Sequence, residues 1–181
     1  NKIRHNINMQ LSNSTNIPRY DRLTETSAGL PKSAEWYYGP QFRTLLAYQF
    51  DAVKMNGFFQ ELTANLNHQY IEESRHNRSF GKTSLNHREE KINVTGYQLA
   101  IRHKDNQNEF TIGTDGQFNA LKSVGTKTDI VTNVESKIDS RYPDGKNNMN
   151  LIGLFFQHTL KLLDDKLVFN DGLRFNYTSL H

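Results

Sequence analysis

The segment Ile3-Arg4-His5-Asn6-Ile7-Asn8-Met9-Gln10-Leu11-Ser12 decides how the rest of the chain is read. Its odd positions hold Ile3, His5, Ile7, Met9 and Leu11; its even positions hold Arg4, Asn6, Asn8, Gln10 and Ser12. A β-strand throws successive side chains to opposite faces, so this segment has one apolar face and one wet face.

The same period returns six times downstream. Gln41–Phe50 puts Phe42, Thr44, Leu46, Tyr48 and Phe50 in phase. In Phe58–Ile71, Phe58, Leu62, Ala64, Leu66 and Tyr70 alternate with Glu61, Thr63, Asn65, Asn67 and Gln69. Within Glu90–His103 the parity slips: Ile92 and Val94 are even, whereas Tyr97, Leu99 and Ile101 are odd. Gly96 stands at the break and predicts a β-bulge that restores register. Further strands are expected at Glu109–Leu121, Met149–Leu162 and Lys166–Tyr177. The connections alternate in length. Asn13–Pro40, Glu72–Arg88 and Lys122–Asn148 are long; Asp51–Gly57, Lys104–Asn108 and Leu163–Asp165 are short. Structureless connections that long are uncommon in compact domains, whereas outer-membrane barrels place long loops outside and short turns on the periplasmic side. The expected fold is therefore all-β, an antiparallel up-and-down meander of about seven long strands, a segment of a larger transmembrane β-barrel. The first strand runs outward.

Composition fits that expectation. Of 181 residues only 35% are hydrophobic, and the mean hydropathy is −0.75, low for a domain with a central core. A barrel needs one apolar residue in two, and only within the lipid band. The 11 Phe and 8 Tyr suffice for aromatic girdles. A net charge of +3, scattered along the chain, does not argue for nucleic acid. There is no cysteine, hence no disulfide framework, thiolate metal site or cysteine nucleophile. No apolar run is long enough for a transmembrane helix. Gly-x-Ser-x-Gly, His-Glu-x-x-His and P-loop motifs are missing, and Gly113-Thr114-Asp115-Gly116 lies inside an expected strand, so an enzyme is not expected. No residue set calls for a cofactor. The chain opens without an initiator Met or an apolar leader, and seven strands would leave two bare edges. Residues 1–181 are thus expected to be a partial barrel domain, without plug domain or remaining strands.

Two stretches carry a family resemblance: Asn16-Ile17-Pro18-Arg19-Tyr20-Asp21-Arg22-Leu23-Thr24-Glu25 and Ala34-Glu35-Trp36-Tyr37-Tyr38-Gly39-Pro40-Gln41. They resemble the barrel of TonB-dependent outer-membrane receptors, most closely those of Bacteroides-related bacteria. Tyr70-Ile71-Glu72-Glu73-Ser74-Arg75 and Ser140-Arg141-Tyr142-Pro143-Asp144-Gly145 are similar to the same barrel in the same order. The resemblance implies a 22-stranded barrel, an N-terminal plug and a TonB box. It implies uptake of a scarce nutrient (ferric siderophore, haem, cobalamin or oligosaccharide) across the outer membrane of a Gram-negative bacterium. The implied partners are the TonB energy-coupling protein acting through the absent plug, outer-membrane lipid and lipopolysaccharide, and the imported ligand. A soluble β-sandwich or lipocalin-like module, and a passive porin or adhesin barrel, are the alternatives; strand length and one-sided loops speak against the first.

Candidate ligand-binding residues lie in the long connections. Trp36, Tyr37 and Tyr38 offer rings for stacking, or a girdle position at the membrane rim. Arg19 and Arg22 could grip an anionic chelate, although Asp21 and Glu25 beside them suit an internal ion-pair network. Arg75, His76 and Arg78 suit carboxylates, haem propionates or lipopolysaccharide phosphates. Arg141 and Tyr142 complete the set. His68, His76 and His87 have no spacing that argues for coordination of haem, and Asp129, Glu135, Asp139 and Asp144 lack a calcium-loop pattern. No metal site is expected. Arg4, Asn8, Gln10, Asn65, Asn67 and Gln69 are expected on the lumen side, with Ile7, Met9, Leu62, Leu66, Phe110 and Phe169 towards lipid.

Overall fold

A computed structural model describes residues 2–181. The elements in chain order are β1 (Lys2–Ser14), β2 (Ile17–Pro18), α1 (Tyr20–Leu23), β3 (Thr26–Ser27), β4 (Leu30–Pro31), β5 (Ser33–Tyr38), β6 (Gln41–Val53), β7 (Glu61–Ser79), β8 (Ser84–Lys104), β9 (Asn108–Asp129), β10 (Glu135–Lys137), β11 (Gly145–Leu162) and β12 (Leu167–Leu180). Seven long strands pair in the order β1-β6-β7-β8-β9-β11-β12, each antiparallel to its neighbour. This is the expected meander, and among the described residues no helix is long and apolar enough to cross a membrane.

Residues directly opposite in an antiparallel pair share a face, so register fixes what each face carries. One row runs Ile7, Tyr48, Leu66, Tyr97, Gly116, Ile152, Tyr177 across all seven strands. The rows on either side of it on this outer face include Phe50, Leu99, Leu154 and Phe175 below, and Met9, Leu46 and Phe118 above. The intervening inner row reads Asn6, Gln49, Asn65, Gln98, Asp115, Gly153, Asn176. The residues expected towards lipid and towards the lumen fall on these two faces as assigned.

Among the described residues a single apolar side chain, Ala52, is buried, while Met9 and Leu173 are each 78% exposed. The apolar stripe is therefore not covered by a second sheet, as a sandwich would require. A belt of exposed apolar side chains round a polar inner wall is the arrangement of an outer-membrane barrel. At the short-turn end the belt closes in a ladder of rings. Phe58 stacks on His103 at 3.9 Å, and His103, Phe110 and His158 continue it, with Phe110 and His158 4.5 Å apart.

Two features differ from the sequence reading. β8 pairs with β7 and β9 in unbroken register through Gly96, so the expected bulge is absent. Ile92 and Val94 instead point to the inner face, in rows with Ile71 and Leu121 and with Asn119. Gly96 serves a different purpose: a Cβ there would lie 2.8 Å from the Asn67 amide. Second, Glu72–Arg88 and Lys122–Asn148 are largely strand rather than loop. β7, β8 and β9 have 19, 21 and 22 residues. At about 3.3 Å per residue such strands reach roughly 63–73 Å, about twice the thickness of a bilayer's hydrocarbon core, and still exceed it after a tilt of about 45°. The wall continues beyond the apolar belt on the long-connection side only.

Candidate functional site

The Thr15–Pro40 connection builds that taller wall. β5 pairs with the upper end of β7, occupying the place that β6 holds lower down, and β2 pairs with β5 as β1 does with β6. Gly39 makes the junction. Its φ is +101°, and a Cβ would stand 2.6 Å from the Thr15 carbonyl, so only glycine fits. Its N–H donates to the Ser74 carbonyl at 2.9 Å.

Pairing of Trp36 with Asn77 and of Tyr38 with Arg75 puts Trp36, Tyr38 and Arg75 on the inner face. The Trp36 and Tyr38 rings meet edge to face at 4.9 Å. Arg19 lies 4.7 Å from the Trp36 ring centre, and Arg75 lies 5.3 Å from that of Tyr38. Two guanidiniums thus flank two aromatic rings, contacts worth about 0.5–1 kcal/mol each where exposed. Arg19 is held by Asp21 and donates to the Tyr38 hydroxyl at 3.2 Å; the Asp21 contact above all raises its pKa and lowers that of Asp21. Arg75 has no ion-pair partner among the described residues, which leaves its guanidinium available to an anion.

The segment between β10 and β11 folds down onto the same inner wall. A Cβ on Gly125 would meet the Ile138 and Asp139 carbonyls at 2.6 and 2.8 Å, so the absent side chain makes room for this segment. Arg88 donates to the Asp139 carbonyl at 3.1 Å, and the Tyr142 N–H donates to Ser123 Oγ at 3.4 Å. Beneath it Ser123 and Glu90 are buried, at 0% and 5% exposure. Burial pushes the Glu90 carboxyl upward, opposed first by the charge of Arg141. Arg141 itself lies 5.6 Å from the Tyr142 ring centre. Tyr142, Ile92, Leu121 and Met149 then line an inner-face cavity of about 630 Å³ with Asn119 and Leu180. Trp36, Tyr38, Arg19 and Arg75 form one side of the upper inner wall; Arg88, Arg141 and Tyr142 form the other.

The remaining candidates point elsewhere. Tyr37 pairs with His76 and His76 with His87, on the outer face above the belt. Tyr37 stacks on His76 at 4.5 Å, and the two His Nδ1 atoms are 2.6 Å apart. Burial, and then the neighbouring His87, lower the His76 pKa. His76 and His87 are separated by one hairpin, so the symmetry of the polar run about its turn is the signal that would have paired them. His68 lies apart and contacts Thr95. Arg78 is spent on Glu35 at 2.6 Å and Arg22 on Glu25 at 2.8 Å, which realises the ion-pair network in the first connection. Asp129 is spent on joining two turns: it accepts from Thr83 Oγ1 in the β7–β8 connection and from the Val131 and Thr132 N–H groups of its own turn, contacts that hold its pKa down to about 2.

Within the belt the inner wall carries one buttress that the sequence does not announce. Arg174 reaches from β12 across β11 to Asp115 on β9, with two contacts at 2.9 and 2.7 Å. It passes over Gly153, where a Cβ would stand 2.7 Å from the Asp115 carboxylate. On the outer face Gly116 likewise leaves room for the Tyr97 ring, and a Cβ there would also stand 2.9 Å from the Leu151 carbonyl.

No family model matches the chain, and none of the curated proteins matches it. Among solved structures it is similar to the copper transporter OprC, with a TM-score of 0.66 and 17% identity. The match covers 80% of this chain and 23% of that one, so the chain spans under a quarter of the length of the structure it resembles. At that identity the likeness shows the shared fold alone, a wall of long antiparallel strands belonging to a larger barrel.

Proposed function

We propose that residues 1–181 form a section of the barrel domain of a TonB-dependent receptor that imports a scarce, bulky nutrient across the outer membrane of a Gram-negative bacterium. The observation that carries this reading is the pair of faces, apolar outside and polar inside, held in register across seven strands that rise well beyond the belt on one side only. The likeness to OprC supports the transporter class, and the two motifs in the first connection favour the TonB-dependent kind. In this reading the raised wall captures ligand through Trp36, Tyr38, Arg19 and Arg75 on one side and Arg141 and Tyr142 on the other. The paired rings and the unpaired Arg75 suit a ligand with flat or carboxylate-bearing groups, as ferric siderophores and haem have. The inner wall lower down encloses a plug, and energy comes from TonB rather than from chemistry on this chain.

The test is uptake by the producing bacterium. Cells lacking the parent gene are offered labelled ferric siderophore, haem, cobalamin or oligosaccharide under limitation for each. Loss of high-affinity uptake of one of these, reproduced by deleting TonB, is the expected result. Uptake that needs the barrel but survives loss of TonB would make it a passive pore.

A further inference from the structure

Just above the apolar belt the outer face carries three lysines abreast. Lys91 on β8 lies opposite Lys122 on β9, and Lys122 lies opposite Lys146 on β11. Adjacent strands are about 4.8 Å apart, so the three backbones stand within roughly 10 Å. Like charges placed directly opposite destabilise a sheet. On the inner wall Glu73 faces Glu90 and Arg75 faces Arg88, whereas other facing charges are of opposite sign. Arg4 faces Asp51 and Arg102 faces Glu61 on the inner wall, and on the outer face Glu72 faces Lys91. Lys91 is also 2.9 Å from Glu89. No ion pair engages Lys122 or Lys146 among the described residues. Two rows above, beyond the row of Glu89 and Val124, Lys137 adds a fourth cation on the same face, opposite Thr126 and 3.9 Å from Asp144.

The order of chemistry along the strands matters as much as the charge. Below the lysine row come Asn93, Ala120 and Asn148, then Thr95, Phe118 and Asn150, and then the apolar row of Tyr97 and Ile152. Ammonium, amide and hydrocarbon thus follow one another down the outer wall. A partner that matches them has phosphate, then a polar sugar and amide zone, then acyl chains. Lysine side chains near such an interface bury their stems and keep the ammonium at headgroup level.

We infer that Lys91, Lys122 and Lys146 form a binding site for the phosphates of lipid A in the outer leaflet. The site rests on the outer-membrane reading and on the raised end facing outward. It is separate from the inner wall that would meet an imported ligand. Charge-assisted contacts from two unpaired lysines to one phosphorylated glycolipid hold it against strands β8, β9 and β11.

The experiment uses the whole receptor purified from outer membranes, with native mass spectrometry to count retained lipid A. Lys122→Glu with Lys146→Glu is expected to lower retention about ten-fold, and Lys122→Gln with Lys146→Gln by less. Added lipid A is expected to rebind to the unmutated receptor, and lipid A stripped of its phosphates is not. The heat-dependent gel shift of a folded barrel checks each variant, so a loss of binding in a folded barrel supports the site. Equal retention by all variants, or equal binding of dephosphorylated lipid A, overturns it while leaving the barrel reading intact. Absence of the unmutated receptor from the outer-membrane fraction would overturn that reading itself.

Discussion

The lower and upper halves of β7, β8 and β9 are the same strands in two environments. In the lower half Leu62, Ala64 and Leu66 alternate with Thr63, Asn65 and Asn67, and one face is apolar. In the upper half His76 and Arg78 alternate with Arg75 and Asn77, and both faces are polar. Hydrogen-bonded pairing is continuous through the change. Alternation therefore reports a difference between two solvents, not the presence of a strand. Where water lies on both sides, a strand has no reason to alternate.

The sharpest way to break this comparison is to move a charge into the belt. Leu66→Arg on the outer face is expected to destabilise the complete barrel in lipid vesicles by about 2–4 kcal/mol, whereas Asn67→Arg on the inner face costs within about 0.5 kcal/mol. Urea unfolding measures both. Equal costs would mean that the two faces see the same medium.

A smaller effect separates the halves by packing. Gly113 lies under the Phe155 ring in the belt, and a Cβ there would stand 2.7 Å from the Leu99 carbonyl. Gly113→Ala is expected to cost about 1–3 kcal/mol in the same unfolding experiment. Gly125→Ala displaces the Ile138–Asp139 segment instead. It is expected to leave barrel unfolding within about 0.5 kcal/mol while speeding proteolysis between Ile138 and Tyr142.

The extent to which the fold could be read from the sequence follows the same division. The meander, the strand phases and the side of the long connections were legible because the belt imposes a period of two. The upper strands were read as loops because Glu72–Arg88, apart from Phe80 and Leu85, is polar and shows no alternation. The Gly96 bulge was a misreading of Ile92 and Val94, which turn inward where the inner wall itself becomes apolar around Leu121 and Met149. Of the candidate site, the residue types were visible in the motifs. Their division between faces was not, since adjacent Trp36, Tyr37 and Tyr38 go to opposite sides once β5 is a strand. The Asp115–Arg174 buttress was invisible because it joins strands that are not neighbours and depends on Gly153.

The smallest effects are expected from pH, and they are confined to the upper half. His76 has a lowered pKa, so its folded form favours neutral imidazole. The unfolded chain then binds more protons below about pH 6.5, and the stabilisation present above that pH is lost as pH falls. Protection of the β7–β8 hairpin against hydrogen exchange, corrected for the intrinsic pH dependence of amide exchange, is expected to fall as pH drops below about 6.5, and His87→Gln to blunt the effect. Asp129 also has a lowered pKa, so its contribution is present above about pH 3.9 and is lost as pH falls towards about 2. The corrected protection in the belt should stay level across both windows.

The most direct test of the two-solvent account uses the absence of cysteine from residues 1–181, so that once any cysteine elsewhere in the receptor is replaced by serine every introduced thiol is unique. Single cysteines placed in turn from Leu62 to Arg78 in the complete receptor are spin-labelled in lipid vesicles, and access to oxygen and to a polar nickel reagent is measured. The account predicts strict alternation from Leu62 to Tyr70, with even positions open to oxygen and odd positions to nickel, and no alternation in oxygen access from Ser74 to Arg78. Alternation that continued through Arg78, or that was missing below Tyr70, would contradict it.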